Sequence, residues 1–116
     1  MLLVEDDFHL REALADVLEA EGHSVTALAT ASAALGVLGQ PGAPRLVLLD
    51  LRMPGMDGLS FLDALRARPD SDRFRVILMS ADSRVTTFEG APGVAAVLQK
   101  PFEAGELLAV LGMHAA

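Results

Sequence analysis

The sequence predicts an α/β domain with a parallel sheet covered by helices on both faces. Short apolar runs alternate with amphipathic segments five times within 116 residues. Four of the runs are almost continuous in apolar residues, which is typical of parallel strands buried on both sides. A regular alternation of strands and helical segments in one small domain indicates a parallel sheet with helices packed on each side of it.

The first half of the chain supplies two strands and two helices. Residues 2–4 form the first apolar run, and residues 8–21 repeat leucine and valine at helical spacing. Gly22 stands where a glycine commonly ends a helix. A weaker strand is predicted over residues 23–29, and the range 30–38 is predicted as a short alanine-rich helix capped by its first residue, a threonine.

The second half supplies three strands and two well-defined helices. Residues 45–50 and 75–80 are the clearest strands, and residues 93–99 are the last one. Between them, residues 59–68 place Phe and Leu at helical spacing. A final helix is predicted over residues 103–111.

The fourth connection, residues 82–93, should be helical by the alternation but is poor in helix-forming residues. Val85, Thr86 and Thr87 are β-branched, and two glycines and a proline follow them. Such residues lose side-chain freedom in a helix or break it. We therefore expect a weak helix here.

Polar residues follow four of the apolar runs, at the point where each predicted strand ends. Because the carboxyl ends of parallel strands meet at the same edge of a sheet, these residues should lie close together. They are Glu5, Asp6, Asp7, Asp50, Ser80 and Lys100.

The acidic members of this set predict a site for a divalent cation. Carboxylates brought together at one edge repel each other unless a cation lies among them. Carboxylate oxygens, with water and a backbone carbonyl, are the ligands that usually hold Mg²⁺. For Asp7 a second interpretation stays open, because an acidic residue before a helix also stabilises its first turn.

The other members predict phosphoryl chemistry. Beside a metal ion, the Asp50 carboxylate can act as a nucleophile toward phosphorus and form an acyl phosphate. The Ser80 hydroxyl and the Lys100 ammonium suit the phosphoryl oxygens. Lys100 is the chain's only lysine. Pro101 restricts the lysine backbone to extended conformations, and the sequence leaves the isomer of this peptide bond open.

Composition excludes several classes of protein. The formal net charge is −7, and eight of the nine basic residues are scattered arginines, which argues against binding a nucleic acid backbone. Without cysteine, the chain has no disulfide and no thiolate metal site. No apolar stretch approaches the roughly 18 residues that span a bilayer. The start of the chain shows no basic signal-peptide region. We expect residues 1–116 to form a single cytoplasmic domain.

The whole chain resembles the receiver domain of two-component response regulators. The resemblance is carried by Leu-Val-Glu-Asp-Asp at 3–7, Leu-Asp-Leu-Arg-Met-Pro-Gly-Met-Asp-Gly at 49–58, Ile-Leu-Met-Ser-Ala at 77–81 and Lys-Pro-Phe at 100–102. It implies a flavodoxin-like (βα)5 three-layer sandwich, whose five parallel strands have the order 2-1-3-4-5.

The resemblance also implies a set of magnesium ligands. Asp6 corresponds to the direct ligand and Glu5 to a ligand that acts through water. Asp50 contributes its carboxylate, Arg52 its backbone carbonyl, and Asp7 is a nearby member of the same acidic group.

In this family the domain catalyses its own phosphorylation, which makes it a signalling phosphoacceptor rather than an enzyme. The resemblance makes Asp50 the phosphoacceptor, with Ser80 and Lys100 binding the phosphoryl oxygens and Lys100 paired with Asp50 beforehand. The donor would be a sensor histidine kinase or phosphotransfer protein. Phosphorylation would change the surface formed by the fourth helix, fifth strand and fifth helix, through which a downstream effector or a second copy would bind. Neither nucleic acid nor membrane is an expected direct partner.

The sequence departs from the family pattern in this output region. An aromatic residue usually stands three positions before the lysine and turns inward on activation, but here the position holds Val97. We expect a domain that is phosphorylated and signals by an atypical surface change. Arg52 and Asp82 hold variable positions two residues beyond Asp50 and Ser80, and we expect them to pair and to tune dephosphorylation.

Three other functions share features with this sequence. A degenerate receiver would be an interaction module that is never phosphorylated, and the intact acidic group, Ser80 and Lys100 argue against it. A flavin carrier would need a hydroxyl-rich phosphate loop where this chain has three acids. A phosphatase of the haloacid dehalogenase type needs a second aspartate two positions after the nucleophile, where Arg52 stands.

Overall fold

A computed structural model of the protein describes residues 1–42, 45–51 and 58–114. Its strands form one five-stranded parallel sheet. Every strand pair is parallel and the order is β2-β1-β3-β4-β5, as predicted. The strands are β1 (Leu2–Val4), β2 (Thr26–Leu28), β3 (Leu46–Asp50), β4 (Arg75–Ser80) and β5 (Val94–Gln99).

Helices connect the strands, with one exception at the fourth connection. The α-helices are α1 (Phe8–Ala20), α2 (Ala31–Leu38), α3 (Gly58–Arg66) and α4 (Ala104–His114). Short 3-10 helices cover Ser71–Arg73 and Ser83–Phe88. The second of these stands where the alternation calls for a fourth α-helix, because its β-branched residues and the glycines that follow disfavour a longer one. Within the described ranges, no helix has the length and apolar character needed to cross a lipid bilayer.

Local capping explains where the first two helices begin and end. The side chain of Asp7 accepts a hydrogen bond from the Leu10 amide at 3.0 Å, and that of Thr30 caps α2 in the same way. At the end of α1, Gly22 has a φ of +92°, which favours glycine. The amides of Gly22 and His23 bond back to Glu19 and Leu18, the pattern of a Schellman motif.

Two core layers lie on opposite faces of the sheet and confirm the three-layer architecture. Successive residues of a strand point to opposite faces, so Leu2 and Val4 enter one layer and Leu3 the other. Helices α2 and α3 cover the first layer through Ala31, Ala34, Leu38, Phe61, Leu62 and Leu65. Helices α1 and α4 cover the second through Leu14, Leu18, Leu107 and Leu111.

The register brings the carboxyl ends of four strands to one edge. Asp50 at the end of β3 lies opposite Met79, and Ser80 at the end of β4 lies opposite Gln99. The Lys100 amide then donates to the Ser80 carbonyl at 2.8 Å. This edge holds the polar residues that the sequence placed at the ends of the apolar runs.

Candidate functional site

Three polar side chains are buried at this edge of the sheet. Glu5 is 1% exposed, Asp50 is 4% exposed and Ser80 is 1% exposed. Among the residues that the structure describes, these are the buried polar or charged ones. Since buried polar groups are costly unless they are paired, their concentration at one edge marks the site.

The acidic group consists of Glu5, Asp6 and Asp50. One carboxylate oxygen from each lies within 4.8 Å of the other two, with Asp6 exposed at the mouth of the site. Three hard oxygen donors, one of them open to solvent, fit Mg²⁺, which keeps several of its waters when it binds protein carboxylates. The observed donor set therefore suits the cation that the sequence predicted.

Lys100 joins the two buried carboxylates. Its Nζ donates to Glu5 Oε1 at 2.5 Å and to Asp50 Oδ2 at 3.2 Å, and it follows β5 through a cis Lys100–Pro101 peptide bond. Burial alone would lower the pKa of Lys100, but the hydrogen bond to Glu5 and the charge of Asp50 outweigh it, so the pKa is raised. The lysine therefore stays a cation beside Asp50.

Glu5 is the carboxyl group most affected by this arrangement. Burial, followed by a hydrogen bond with Asp50, raises the pKa of Glu5 to about 7, although Lys100 pulls in the opposite direction. Without a metal ion, Glu5 is thus half protonated near neutral pH. A bound divalent cation would favour its charged form.

The comparisons with known proteins agree with this geometry. The family model described as the response regulator receiver domain matches residues 1–112. The chain belongs to this family. It is 45% identical to the response regulator protein FleR of Pseudomonas aeruginosa, over 99% of the chain and 24% of that protein. It is 31% identical to the sporulation initiation phosphotransferase F of Bacillus subtilis, over 92% of the chain and 86% of that protein.

A solved structure of a receiver domain shows the same fold. The receiver domain of NtrX from Brucella abortus is 32% identical and superposes with a TM-score of 0.82, over 97% of this chain and 94% of that one. Some curated relatives are much longer, since the chain covers 24% of FleR and 47% of the sensory transduction protein RegX3 of Mycobacterium tuberculosis. Receiver domains are signalling phosphoacceptor domains, and this chain is one of them.

Ser80 of this receiver contacts the start of the fourth connection. Its Oγ accepts a hydrogen bond from the Asp82 amide at 3.1 Å. Asp82 then caps the 3-10 helix Ser83–Phe88 by accepting from the Arg84 amide at 2.9 Å. The buried hydroxyl is thereby joined by a short path to the segment after β4.

Asp82 pairs with Arg84, which the sequence analysis did not name as its partner. The Arg84 Nη2 lies 2.5 Å from Asp82 Oδ2, on the exposed side of the 3-10 helix. The expected partner, Arg52, lies outside the described residues, as does its predicted backbone ligand to Mg²⁺. Both roles of Arg52 stay predictions.

The structure shows Asp7 as a helix cap, which is the second of its two interpretations, and its predicted place among the metal-binding residues stays a prediction. The Asp7 carboxylate caps α1 and is exposed to solvent. The acidic group within 4.8 Å consists of Glu5, Asp6 and Asp50, without Asp7. The hydrogen bond from the Leu10 amide lowers the pKa of Asp7, so this carboxyl stays charged as a helix cap.

Val97 lies in β5 opposite Leu78 and is partly buried against the core layer of α2 and α3. Its predicted role as the switch position stays a prediction. The branched side chain packs against the core at the position where the resemblance led us to expect an aromatic ring.

Two contacts at the site were not foreseen from the sequence. The Lys100 ammonium binds Glu5 as well as Asp50, and Arg11 of α1 donates to the Glu5 carbonyl at 2.8 Å. Neither follows from motif spacing, because both depend on where long side chains point after folding. The one available signal for Arg11 was its position on the first turn of the helix that follows the acidic residues.

Proposed function

We propose that this receiver accepts a phosphoryl group on Asp50 in a Mg²⁺-dependent reaction, from a sensor histidine kinase or a phosphotransfer protein. The observation that carries the proposal is the meeting of Asp50 with Lys100 and the acidic residues Glu5 and Asp6. A nucleophile, a cation for the phosphoryl oxygens and a metal donor set are then present at one edge. The name of the Bacillus subtilis relative, a phosphotransferase, agrees with this chemistry.

In the proposed reaction, an Asp50 oxygen attacks the phosphorus of a phosphohistidine. The phosphorus–nitrogen bond breaks, the imidazole leaves with the bonding electrons and takes up a proton, and Asp50 becomes an acyl phosphate. Lys100, held 3.2 Å from Asp50 Oδ2, transfers its hydrogen bond to a phosphoryl oxygen. The Ser80 hydroxyl, whose Oγ accepts from the Asp82 amide in the structure, donates a hydrogen bond to another phosphoryl oxygen.

Metal binding would involve the acidic group. Asp6 and Asp50 would hold Mg²⁺ directly, and Glu5 through water. The Arg52 carbonyl completes the proposed set. When bound, the cation screens the repulsion between the carboxylates and the incoming phosphoryl oxygens.

Labelling with a small phosphodonor tests the proposal. The wild-type chain incubated with acetyl phosphate and Mg²⁺ should gain one phosphoryl group by intact-mass measurement, and Asp50→Asn should gain none. Omission of Mg²⁺, with a chelator present, should also prevent the gain. If the wild type gains no phosphoryl group, the result would support the alternative function, a degenerate receiver that acts only as an interaction module. The intact set of site residues argues against that alternative.

We further propose that the protein donor docks over an apolar groove beside the site. The groove has a volume of about 540 Å³ and lies between α1 and the start of α4. Leu10, Ala13 and Phe102 are among its lining residues, and Lys100 lines the end nearest Asp50. A donor seated there would bring its phosphohistidine to the exposed mouth of the site.

We propose that signalling to downstream partners uses the region after β4 together with β5 and α4. Residues 1–116 would act as a single receiver domain in the cytoplasm. Phosphorylation would change the surface formed by Ser83–Phe88, β5 and α4, to which an effector domain, a separate protein or a second copy would bind. Asp82, with Arg52, is proposed to tune the rate of dephosphorylation.

A further inference from the structure

Arg11 folds back from α1 onto the backbone of the acidic residues. Its Nη1 donates to the Glu5 carbonyl at 2.8 Å and lies 3.5 Å from the Asp6 carbonyl. The Arg11 amide itself bonds to the Asp7 carbonyl at 2.9 Å, as part of the first turn. One residue of the helix thus contacts the three carbonyls that follow β1.

An exposed aromatic ring covers this guanidinium. Phe8 is 58% exposed, and its ring centre lies 5.5 Å from Arg11 Cζ. A guanidinium at this distance from a ring is attracted by the ring's quadrupole. The contact restricts the arginine to the orientation in which it reaches the two carbonyls.

The two contacted carbonyls belong to the peptide planes on either side of Asp6. Since peptide units are planar, contacts to both planes restrain the φ and ψ angles of Asp6 and therefore the direction of its Cα–Cβ bond. Asp6 is exposed, and it is the member of the acidic group that the protein core does not hold. Its side chain depends on the backbone for its aim toward Glu5 and Asp50.

We infer that Arg11 is a positioning residue for the metal site, in that it holds the backbone on both sides of Asp6 so that three carboxylates stay together. The inference rests on the proposed function, because it assumes that these carboxylates bind Mg²⁺. The charge of Arg11 acts in the opposite sense, since a cation near the site repels a divalent ion. The two effects therefore predict opposite results when the arginine is removed.

Magnesium affinity of the whole chain tests the inference without any phosphoryl transfer. The chain has neither Trp nor Tyr, so calorimetry or NMR titration is the suitable measurement. We expect Arg11→Ala to raise the Mg²⁺ dissociation constant by about tenfold, the usual cost of losing an outer partner of a metal ligand. Arg11→Lys keeps the charge, and therefore the repulsion of Mg²⁺, but cannot hold both planes, so we expect this variant to lose affinity as well.

Arg66 offers a matched control. Its Nε donates to the Pro92 carbonyl at 2.6 Å, so Arg66→Ala also removes a bond from a helix arginine to a backbone carbonyl, at the end of α3. We expect Arg66→Ala to lower the unfolding free energy in metal-free buffer and to leave the Mg²⁺ affinity unchanged.

Each outcome decides the inference. Unchanged or tighter binding by Arg11→Ala would overturn it, because only the charge effect would then remain. Binding by Arg11→Lys equal to wild type would also overturn it, as would an equal loss in Arg66→Ala. If Arg11→Ala does not fold, the lysine variant alone decides. Failure of the wild type to bind Mg²⁺ would instead overturn the proposed function, and the inference with it.

Discussion

Glu5 is buried at the end of β1, where Lys100 binds one of its oxygens and the Asp7 amide donates to the other at 3.3 Å. In the metal-free protein this carboxyl holds its proton more tightly than in the unfolded chain. Its pKa is raised from 4.5 to about 7, chiefly by burial. The ionised form of Glu5, which suits Mg²⁺, therefore destabilises the folded protein when no cation is bound.

This shift predicts a pH dependence of stability. A raised folded-state pKa contributes stability that is fully present below pH 4.5 and is lost as the pH rises through about 7. The loss has an upper limit of about 3 kcal/mol, at about 1.4 kcal/mol per pKa unit. In urea unfolding with a chelator, we expect wild type to lose more stability than Glu5→Gln between pH 5 and 7.5.

The comparison with Glu5→Gln isolates this group. Asp7 and Asp70 have lowered pKa values and lose their contribution at lower pH, whereas Lys100 has a raised pKa and loses its contribution at higher pH. Saturating Mg²⁺ should restore the stability of wild type at pH 7.5. Identical pH profiles of the two proteins would show that Glu5 does not titrate near 7.

Gly58 shows how closely α3 approaches Asp50, the proposed phosphoacceptor. Its amide donates to the Leu51 carbonyl at 3.0 Å, and a Cβ at this position would lie 2.7 Å from the Asp50 carbonyl oxygen. That atom belongs to the backbone and cannot turn aside. We expect Gly58→Ala to destabilise the domain by about 1–3 kcal/mol, as overpacking usually does, and to slow labelling by acetyl phosphate because Asp50 moves.

Gly36 is the control for this substitution. It lies exposed in α2, and a Cβ there would meet no atom within 4 Å. Gly36→Ala should therefore stabilise the domain by up to about 1 kcal/mol, the helix propensity difference, without changing the labelling rate. Equal stabilities for the two variants would mean that the contact at Asp50 can relax.

At the scale of elements, the strands were the best predicted parts of the fold. The runs at 75–80 and 93–99 agree with β4 and β5 to within one residue, because strands buried on both faces leave a continuous apolar signal. The sequence predicted a strand over residues 23–29, but β2 covers only Thr26–Leu28. An exposed strand at the edge of the sheet has no continuous apolar run that would mark its bounds. The pairing of Lys100 with Asp50 was expected from the family resemblance, but the contacts of Lys100 and Arg11 with Glu5 were not, because they depend on packing between distant elements.

The groove between α1 and α4 gives a prediction for donor recognition. Ala13 is exposed on α1 and lines the groove, so an arginine at this position can extend into solvent without disturbing the core. We expect Ala13→Arg to slow transfer from a phosphorylated histidine kinase that labels wild type by at least about tenfold, which corresponds to about 1.4 kcal/mol. Labelling by acetyl phosphate should not change, because that donor needs no docking surface.

Ala20→Arg is the matched control for the groove. Ala20 is the exposed last residue of the same helix and does not line the groove. The Ala20→Arg variant should accept phosphoryl groups from the kinase and from acetyl phosphate at the wild-type rates. Equal kinase transfer to Ala13→Arg and Ala20→Arg would place the docking surface elsewhere.

At the scale of the whole molecule, the central sheet joins the candidate site to the proposed output surface, which is formed by Ser83–Phe88, β5 and α4. Two core layers share the central sheet, and β5 lies at its end beside the 3-10 helix Ser83–Phe88. In place of a movable ring, Val97 is packed against the core layer of α2 and α3. For phosphorylation to signal, this region must have two alternative packings. The phosphoryl group must then bind one of them more tightly than the other.

The contact from Ser80 to the Asp82 amide supplies a route for that preference. When Ser80 binds a phosphoryl oxygen, any rotation of its side chain alters the bond to Asp82, which caps the 3-10 helix. We therefore expect the beryllofluoride complex to show NMR shift changes that run from Asp50 through Ser80 into residues 82–88 and β5. No phenylalanine ring should move from solvent into the core. Asp50→Asn should show none of these changes, and a change centred on a ring turning inward would show that the receiver uses an aromatic switch despite Val97.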